Sequence, residues 1–446
     1  MNNNDELIYE KWFHNAIYNK NFESLEFLIN EEKNFTISLE DNEINEHTKS
    51  KIISTIVKGV YKQKKSSIYL EKINNNMLEK VLSSLKNQLE ISSFESKEDI
   101  FSGSVVYPNI EINSFDFSRI DLKLKYNLLF SLSKKLSQNI FCQKVENISY
   151  IETNLRKKIV NSKGLNIETN ENFAEIYVVC LFKKNNQIEE ISENFLFKKF
   201  QDFNIENFAK KIIQKGKERL NACSLKSGYY DIIFSNKAFS KLLKKFSCIF
   251  NAMNVYHDLT KLKNKIGFKI ASDQVNIIDD PLNSYAFFKY KFDDEGCPCK
   301  KKIIIEKGIL KNFIHNLKTT NIFNISSSSA GNFFDNSIKM SNCYLKKGFK
   351  DLTKIISKIE KGVFIDNLIG LHAGVNDVTG DFSVQAEGFK IEKGQIKNFV
   401  KMIVVSGNFF DLLYNIKDIA NDFLFDFSGF GSSSVYVDKL SIAGDD

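Results

Sequence analysis

The sequence predicts an α+β chain in two parts. An N-terminal domain, residues 1–223, combines helices with antiparallel hairpins. A C-terminal domain, residues 224–446, is built on a mostly antiparallel curved sheet or partly closed barrel. Three observations predict this. Short β-branched runs with partial alternation recur along the chain, such as "NFTISLE" and "IISTIVKGVY", and alternation of this kind marks half-buried strands. Between them stand segments with apolar residues at helical spacing, such as "NNMLEKVLSSLKNQL". The texture then changes near "SLKSGYY" (224–230), beyond which strand patterns dominate.

Taken in order, residues 5–20 read as an opening helix that Asp5 can cap. Four short strands follow between 24 and 71. Residues 75–89 form a helix with Leu78, Val81, Leu82 and Leu85 on one face. The serine- and acid-rich stretch 90–116 reads as a long loop, and 116–138 as an amphipathic helix. A strand meander comes next, turning at "NSKG" (161–164), where Gly164 supplies the positive φ a tight hairpin needs. Residues 205–223 form the helix that leaves the domain.

The second half opens with the strand "YDIIFS" and the helix "NKAFSKLLKKFSCIFNAM", and after Asn254 it reads as mostly strand. "IEKGILKNFI" (305–314) and "IEKGQIKNFV" (391–400) read as hairpins turning at Gly308 and Gly394. A third copy, "IEKGVFI" (359–365), follows a helical pattern, so Gly362 is expected as a left-handed helix stop.

Composition narrows the function classes. At 446 residues, 43% hydrophobic and 26% charged, the chain reads as globular. No apolar run reaches the roughly 18–20 residues of a membrane span, and the first residues lack the pattern of a signal peptide. Seven scattered cysteines fit reduced thiols in a cytoplasmic protein better than a disulfide framework. The net charge of +7 is nearly all lysine, with arginine only at positions 119, 156 and 219. Scarce arginine argues against nucleic-acid readout.

Site chemistry is sparse. The five histidines (14, 47, 257, 315 and 372) are far apart in sequence and none precedes a glutamate, so no single-segment zinc motif exists. Cys297 and Cys299 flank Pro298 with no second cysteine pair nearby. Neither a phosphate-cradling glycine loop nor a nucleophile elbow occurs. The densest stretch is "HAGVNDVTGDFSVQAEGF" (372–389). Its His372, Asp381 and Ser383 are the residue types of a hydrolase triad, but triads are usually assembled from distant segments. Alternation puts Asp381 and Ser383 on one side of a strand and Phe382 on the other. The simpler reading is a glycine-shaped turn feeding a strand, with Asp and Ser bonding backbone.

The run Gly380-Asp381-Phe382-Ser383, with Gly388-Phe389, the Glu-Lys-Gly hairpin and Ser406-Gly407-Asn408 downstream, resembles the signature of the TldD/PmbA family, the modulators of DNA gyrase. "FDDEGCPCKKKIIIEKGILKNFI" and the closing "VYVDKLSIAG" are similar to further family segments. The family has two kinds of subunit. The TldD kind carries an HExxxH zinc helix and a cysteine ligand near the C-terminus; the PmbA (TldE) kind lacks both. Here the corresponding positions are Lys244, Lys245 and Ile249, and "DFSGFGSSS" stands where the cysteine would be. The resemblance therefore implies a PmbA (TldE)-like subunit of a cytoplasmic metalloprotease that degrades or processes unfolded peptides. It implies a TldD-like partner in a heterodimer, with zinc and the general base in that partner. This chain would then have no catalytic or metal residue of its own. His372, Gly380, Asp381, Ser383, Gly388, Gly407 and Asn408 would shape a peptide cleft. The alternative is a non-enzymatic peptide-binding or assembly protein.

Overall fold

The computed structural model describes residues 11–17, 19–71, 73, 76–91, 97–110 and 115–445. Asp5 and the start of the opening helix lie outside them. The chain divides into two compact units. One comprises residues 1–220, 294–297 and 320–328; the other comprises 221–293, 298–319 and 329–446.

The first unit begins with α1 (residues 11–17). It continues through β1 (Ser24–Glu40), β2 (Glu43–Tyr61), β3 (Lys64–Leu70), α2 (Leu78–Ile91), α3 (Leu122–Ser137), β4 (Cys142–Asn161), β5 (Asn166–Lys184), β6 (Gln187–Phe197) and α4 (Ile205–Leu220). The strands form one antiparallel sheet in the order β3-β2-β1-β4-β5-β6, curled into a half-barrel. The expected four short strands are three, because β1 and β2 run unbroken for 17 and 19 residues. Asp41 and Asn42 make the turn between them, both at positive φ, as the tightest hairpin connections require. One sheet face carries Ile37, Tyr150, Ala174, Ile176 and Val178, all fully buried. They pack against Leu129, Leu132 and Leu136 of α3 and against Phe208 and Ile212 of α4. Asp121 caps α3 by accepting a bond from the Lys123 N–H at 2.9 Å.

The chain continues with β7 (Gly228–Phe234), α5 (Asn236–Phe246), α6 (Ala252–Tyr256), β8 (Ile277–Asp279), β9 (Lys302–Glu306), β10 (Ile309–Leu310), α7 (Leu317–Ile322), β11 (Phe333–Phe334), β12 (Ser337–Ile338) and β13 (Cys343–Leu345). It ends with α8 (Leu352–Ile356), β14 (Lys361–Ile369), β15 (Asp381–Glu392), β16 (Gln395–Asn408), α9 (Phe409–Tyr414), β17 (Ile416–Ile419), β18 (Leu424–Phe425), β19 (Phe430–Ser432) and β20 (Val435–Ala443).

In the second unit β16-β15-β14-β7-β20 form a sheet that closes on itself, because β16 also pairs with β20 from Val404↔Ala443 to Ser406↔Ser441. All contacts around this barrel are antiparallel except β7 with β14. Its core joins Ile232, Val363, Ile365, Val384, Ala386 and Val405 to Leu242, Leu243 and Phe246 of α5. Phe246 stacks on Phe409 with ring centroids 4.3 Å apart.

Two further expectations are corrected. Gly362 does not stop a helix; α8 ends at Ile356 and Gly362 lies inside β14. It is glycine for lack of space, since a Cβ there would sit 2.6 Å from the Asp231 carbonyl oxygen of the parallel neighbour. Residues 257–301 contain only β8 as strand and are otherwise turns and irregular chain. All seven cysteines are free. Among the described residues no helix is long and apolar enough to cross a membrane.

Candidate functional site

The segment between β14 and β15 is a turn stitched by its own backbone. The Gly370 carbonyl accepts from the N–H groups of Ala373 and Gly374 at 3.0 and 3.1 Å. Asn376 donates its N–H to the Asp381 carbonyl at 2.9 Å, and its Oδ1 accepts from the N–H groups of Val378 and Thr379 at 3.0 Å. Gly380 holds φ at +85°, and a Cβ there would lie 2.5 Å from the Phe410 ring. Both facts demand glycine.

Asn408 is the hub of this corner. It stands opposite Asp381 in the β15–β16 pair. Its Nδ2 donates to Asp381 Oδ1 at 2.8 Å and to the Thr379 carbonyl at 2.9 Å. Its Oδ1 accepts from the N–H groups of Phe410 at 3.0 Å and Asp411 at 3.4 Å, which caps α9. The Asn408 amide and then the Thr379 hydroxyl hold the Asp381 carboxyl below its ordinary range, because bonds donated to a carboxylate favour its charged form.

Phe382 is buried, whereas Asp381 and Ser383 are exposed, the alternation the sequence predicts. Ser383 pairs with Ser406 across the strands, hydroxyl to hydroxyl at 2.9 Å. Gly407 opposes Phe382, and a Cβ there would be 2.9 Å from that ring. Gly388 lies farther along the barrel wall. A Cβ there would sit 1.9 Å from the Phe364 carbonyl oxygen, so β14 and β15 can approach only over glycine. His372 is exposed in the turn and makes no hydrogen bond to Asp381 or Ser383. The structure thus gathers Gly380, Asp381 and Asn408 at one corner and assembles no triad.

The same unit places α5 beside this turn. Lys244 is exposed, and Lys245 pairs with Asp377 Oδ2 at 3.1 Å. The other oxygen, Asp377 Oδ1, is buried without a hydrogen-bond partner. Ile249 is 1% exposed and belongs to the core. Burial, reinforced by the Asp377 charge, pushes the Cys248 thiol up to about 11, so it stays protonated and unreactive near neutrality.

Sequence reasoning missed Lys241, one turn earlier on α5. Its Nζ donates to Asn367 Oδ1 at 2.5 Å. Burial lowers its pKa, opposed by the charges of Asp366, Asp426 and Glu387. These four residues come from α5, β14, β15 and the loop after β18, so no local pattern announces them. Asp426 instead organises "DFSGFGSSS": it accepts from the Ser428 N–H and hydroxyl at 2.8 and 2.6 Å and from Ser240 at 3.3 Å.

No imidazole or thiolate on α5 joins these carboxylates in a metal-binding set. Among the described residues, the one His/Cys/Asp/Glu group close enough to share an ion is Asp293, Glu295 and Cys297, within five consecutive residues. Its Glu295 already pairs with Lys65 at 2.8 Å. Barrel closure has a second consequence. Each of the five wall strands is bonded on both sides, β16 meeting β20 only over Val404–Ser406.

Comparisons agree with this architecture. Residues 227–444 match the family model described as the PmbA/TldA metallopeptidase C-terminal domain. A metalloprotease of Methanocaldococcus jannaschii is 24% identical over 400 residues, covering 87% of each chain. A metalloprotease PmbA homolog of Buchnera aphidicola is 26% identical over 362 residues, covering 76% of this chain and 77% of that one. The solved structure of TldE from Thermococcus kodakarensis superposes with a TM-score of 0.84 over 98% of this chain and 100% of that one, at 20% identity, a likeness of fold.

Proposed function

Because the chain belongs to the PmbA/TldD family, we propose that it is the PmbA (TldE)-like subunit of a cytoplasmic TldD–TldE-type metalloprotease acting on unfolded peptides. One observation carries this reading. Where the TldD kind is expected to hold zinc, this chain has Lys244 in solvent, Lys245 bound to Asp377 and Ile249 in the core. These residues do not fit the metal. A lysine at neutral pH is a cation with no free lone pair, and Ile249 has no donor atom. In this account zinc and the general base belong to a TldD-like partner in a heterodimer. This chain contributes the walls of the peptide cleft.

Within those walls, Asn408 fixes the corner formed by Gly380 and Asp381, and the Ser383–Ser406 pair finishes the exposed face of the strands. Gly388 and Gly407 let the barrel strands pack closely beneath that face. His372, at the exposed lip of the turn, contributes surface rather than proton transfer.

The test is reconstitution. The pure chain, and the chain with a TldD-like partner, are incubated with an unfolded peptide, with and without a chelator. The account expects cleavage only by the pair, abolished by chelation. Zinc-dependent cleavage by the pure chain would sink it. Peptide binding without turnover in the pair would favour the non-enzymatic alternative.

A further inference from the structure

Two of the seven thiols meet across the first unit's sheet. We propose that Cys142 and Cys180 form a reversible redox site, in which a peroxide oxidises Cys142 and Cys180 resolves it to a disulfide. This goes beyond the reading of the chain as a protease subunit, and its test needs neither a partner nor turnover.

The pairing comes from register. Cys142 stands opposite Phe182 of β5, and Cys180 stands opposite Val145 of β4. Opposed residues of an antiparallel pair share a face, as do residues two apart on one strand. Cys142, Val145, Cys180 and Phe182 therefore all face the core beneath α3 and α4. Gln143 is the extra residue of a bulge between Cys142 and Lys144. Diagonal neighbours on one face lie ~7–8 Å apart at Cα and closer at Cβ, at the edge of the ~7 Å a disulfide spans. The Cys180 thiol already hydrogen-bonds the Cys142 sulfur. Cys142 is also the first residue of β4, and a strand end is where a small closing shift is easiest.

The two thiols are unlike. Cys142 is half-buried and Cys180 is fully buried. The bond from Cys180 lowers the Cys142 pKa against the opposing effect of burial. The same bond, with burial, raises that of Cys180. An accessible thiol of lowered pKa beside a resolving cysteine suits reaction with peroxide. Burial drives other thiols the opposite way, Cys248 up to about 11 and Cys343 well above the ordinary range. In a reducing cytoplasm a disulfide of this kind is transient and redox-sensing.

The chemistry balances with peroxide as the oxidant. The Cys142 thiolate attacks one peroxide oxygen and the O–O bond breaks. Cys142 becomes a sulfenic acid, and its proton leaves with the released water or alcohol. The Cys180 sulfur then attacks the Cys142 sulfur. The S–S bond forms, the S–O bond breaks, and the departing hydroxide takes the Cys180 proton as water. The two thiols lose two electrons and the peroxide gains them. A reducing thiol such as glutathione reverses the bridge by exchange.

Peptide mapping of the full chain tests the site. The chain is treated with hydrogen peroxide, alkylated with iodoacetamide and digested without reduction. The expected product is a peptide cross-linked between Cys142 and Cys180 of one chain, lost on treatment with dithiothreitol. Before oxidation, Cys142 should alkylate at least about tenfold faster than Cys248 at neutral pH. Cys180→Ala, with its fold checked by circular dichroism, should halt oxidation at the sulfenic acid, which dimedone traps at Cys142. The wild-type cross-link stands independently of that variant. Absence of the cross-link, a bridge from Cys142 to any other cysteine in its place, or alkylation of Cys142 no faster than that of Cys248 overturns the proposal.

Discussion

Replacing Asn408 separates a residue that builds the corner from one that takes part in chemistry. Asn408→Ala removes the N-cap of α9, worth about 1 kcal/mol. It also removes the bond to the Thr379 carbonyl at 2.9 Å, worth about 1 kcal/mol net. Urea unfolding should therefore show a loss of about 2 kcal/mol. Asn408→Asp keeps an acceptor for the Phe410 and Asp411 N–H groups but sets a carboxylate against Asp381, now 2.8 Å from the Asn408 amide. The Asp381 pKa, held low by that amide, should rise in this variant. Its destabilisation should be greatest near neutral pH, where both carboxyls are charged, and should shrink as acid protonates one of them. Asn408→Ala should show no such relief. If Asn408→Ala left stability unchanged yet abolished cleavage by the reconstituted pair, the structural reading of this residue would be wrong.

Three further outcomes follow from the same geometry. Gly388→Ala forces a methyl against the Phe364 carbonyl oxygen and should cost roughly 3 kcal/mol by overpacking, read by urea unfolding. Ser383→Ala loses only the bond to Ser406 at the strand surface, so peptidase activity of the pair should stay within about twofold, and complete loss would restore a nucleophile role. Burial, with the Lys302 charge, lowers the His315 pKa from 6.5 to about 4. The unfolded chain then binds the extra proton between those values. Stability should be full above pH ~6.5 and fall by roughly 3 kcal/mol on approach to pH ~4. His315→Gln should remove that part of the slope in pH-dependent unfolding, and an unchanged slope would refute the assignment.

What the sequence disclosed was local. Alternation placed Asp381 and Ser383 outward with Phe382 inward, and Lys307-Gly308 and Lys393-Gly394 both turn at positive φ. What it concealed depends on distant neighbours. Gly362 looks like a helix stop until Asp231 of β7 arrives beside it. Barrel closure rests on three residue pairs joining β16 to β20, which no local pattern encodes. The irregular chain from 257 to 301 gains only β8 as strand. The Cys142–Cys180 pair emerges only from cross-strand register, and Lys241 meets Asp366 and Asp426 only through the tertiary fold.

The central claim is that zinc and the proton-transfer group sit outside this chain. Metal analysis of the chain purified alone, and of the separated subunits of an active pair, tests it most directly. The account predicts no stoichiometric zinc on this chain and about one zinc per chain on the TldD-like partner. One zinc per copy of this chain, lost together with its activity on chelation, would contradict it.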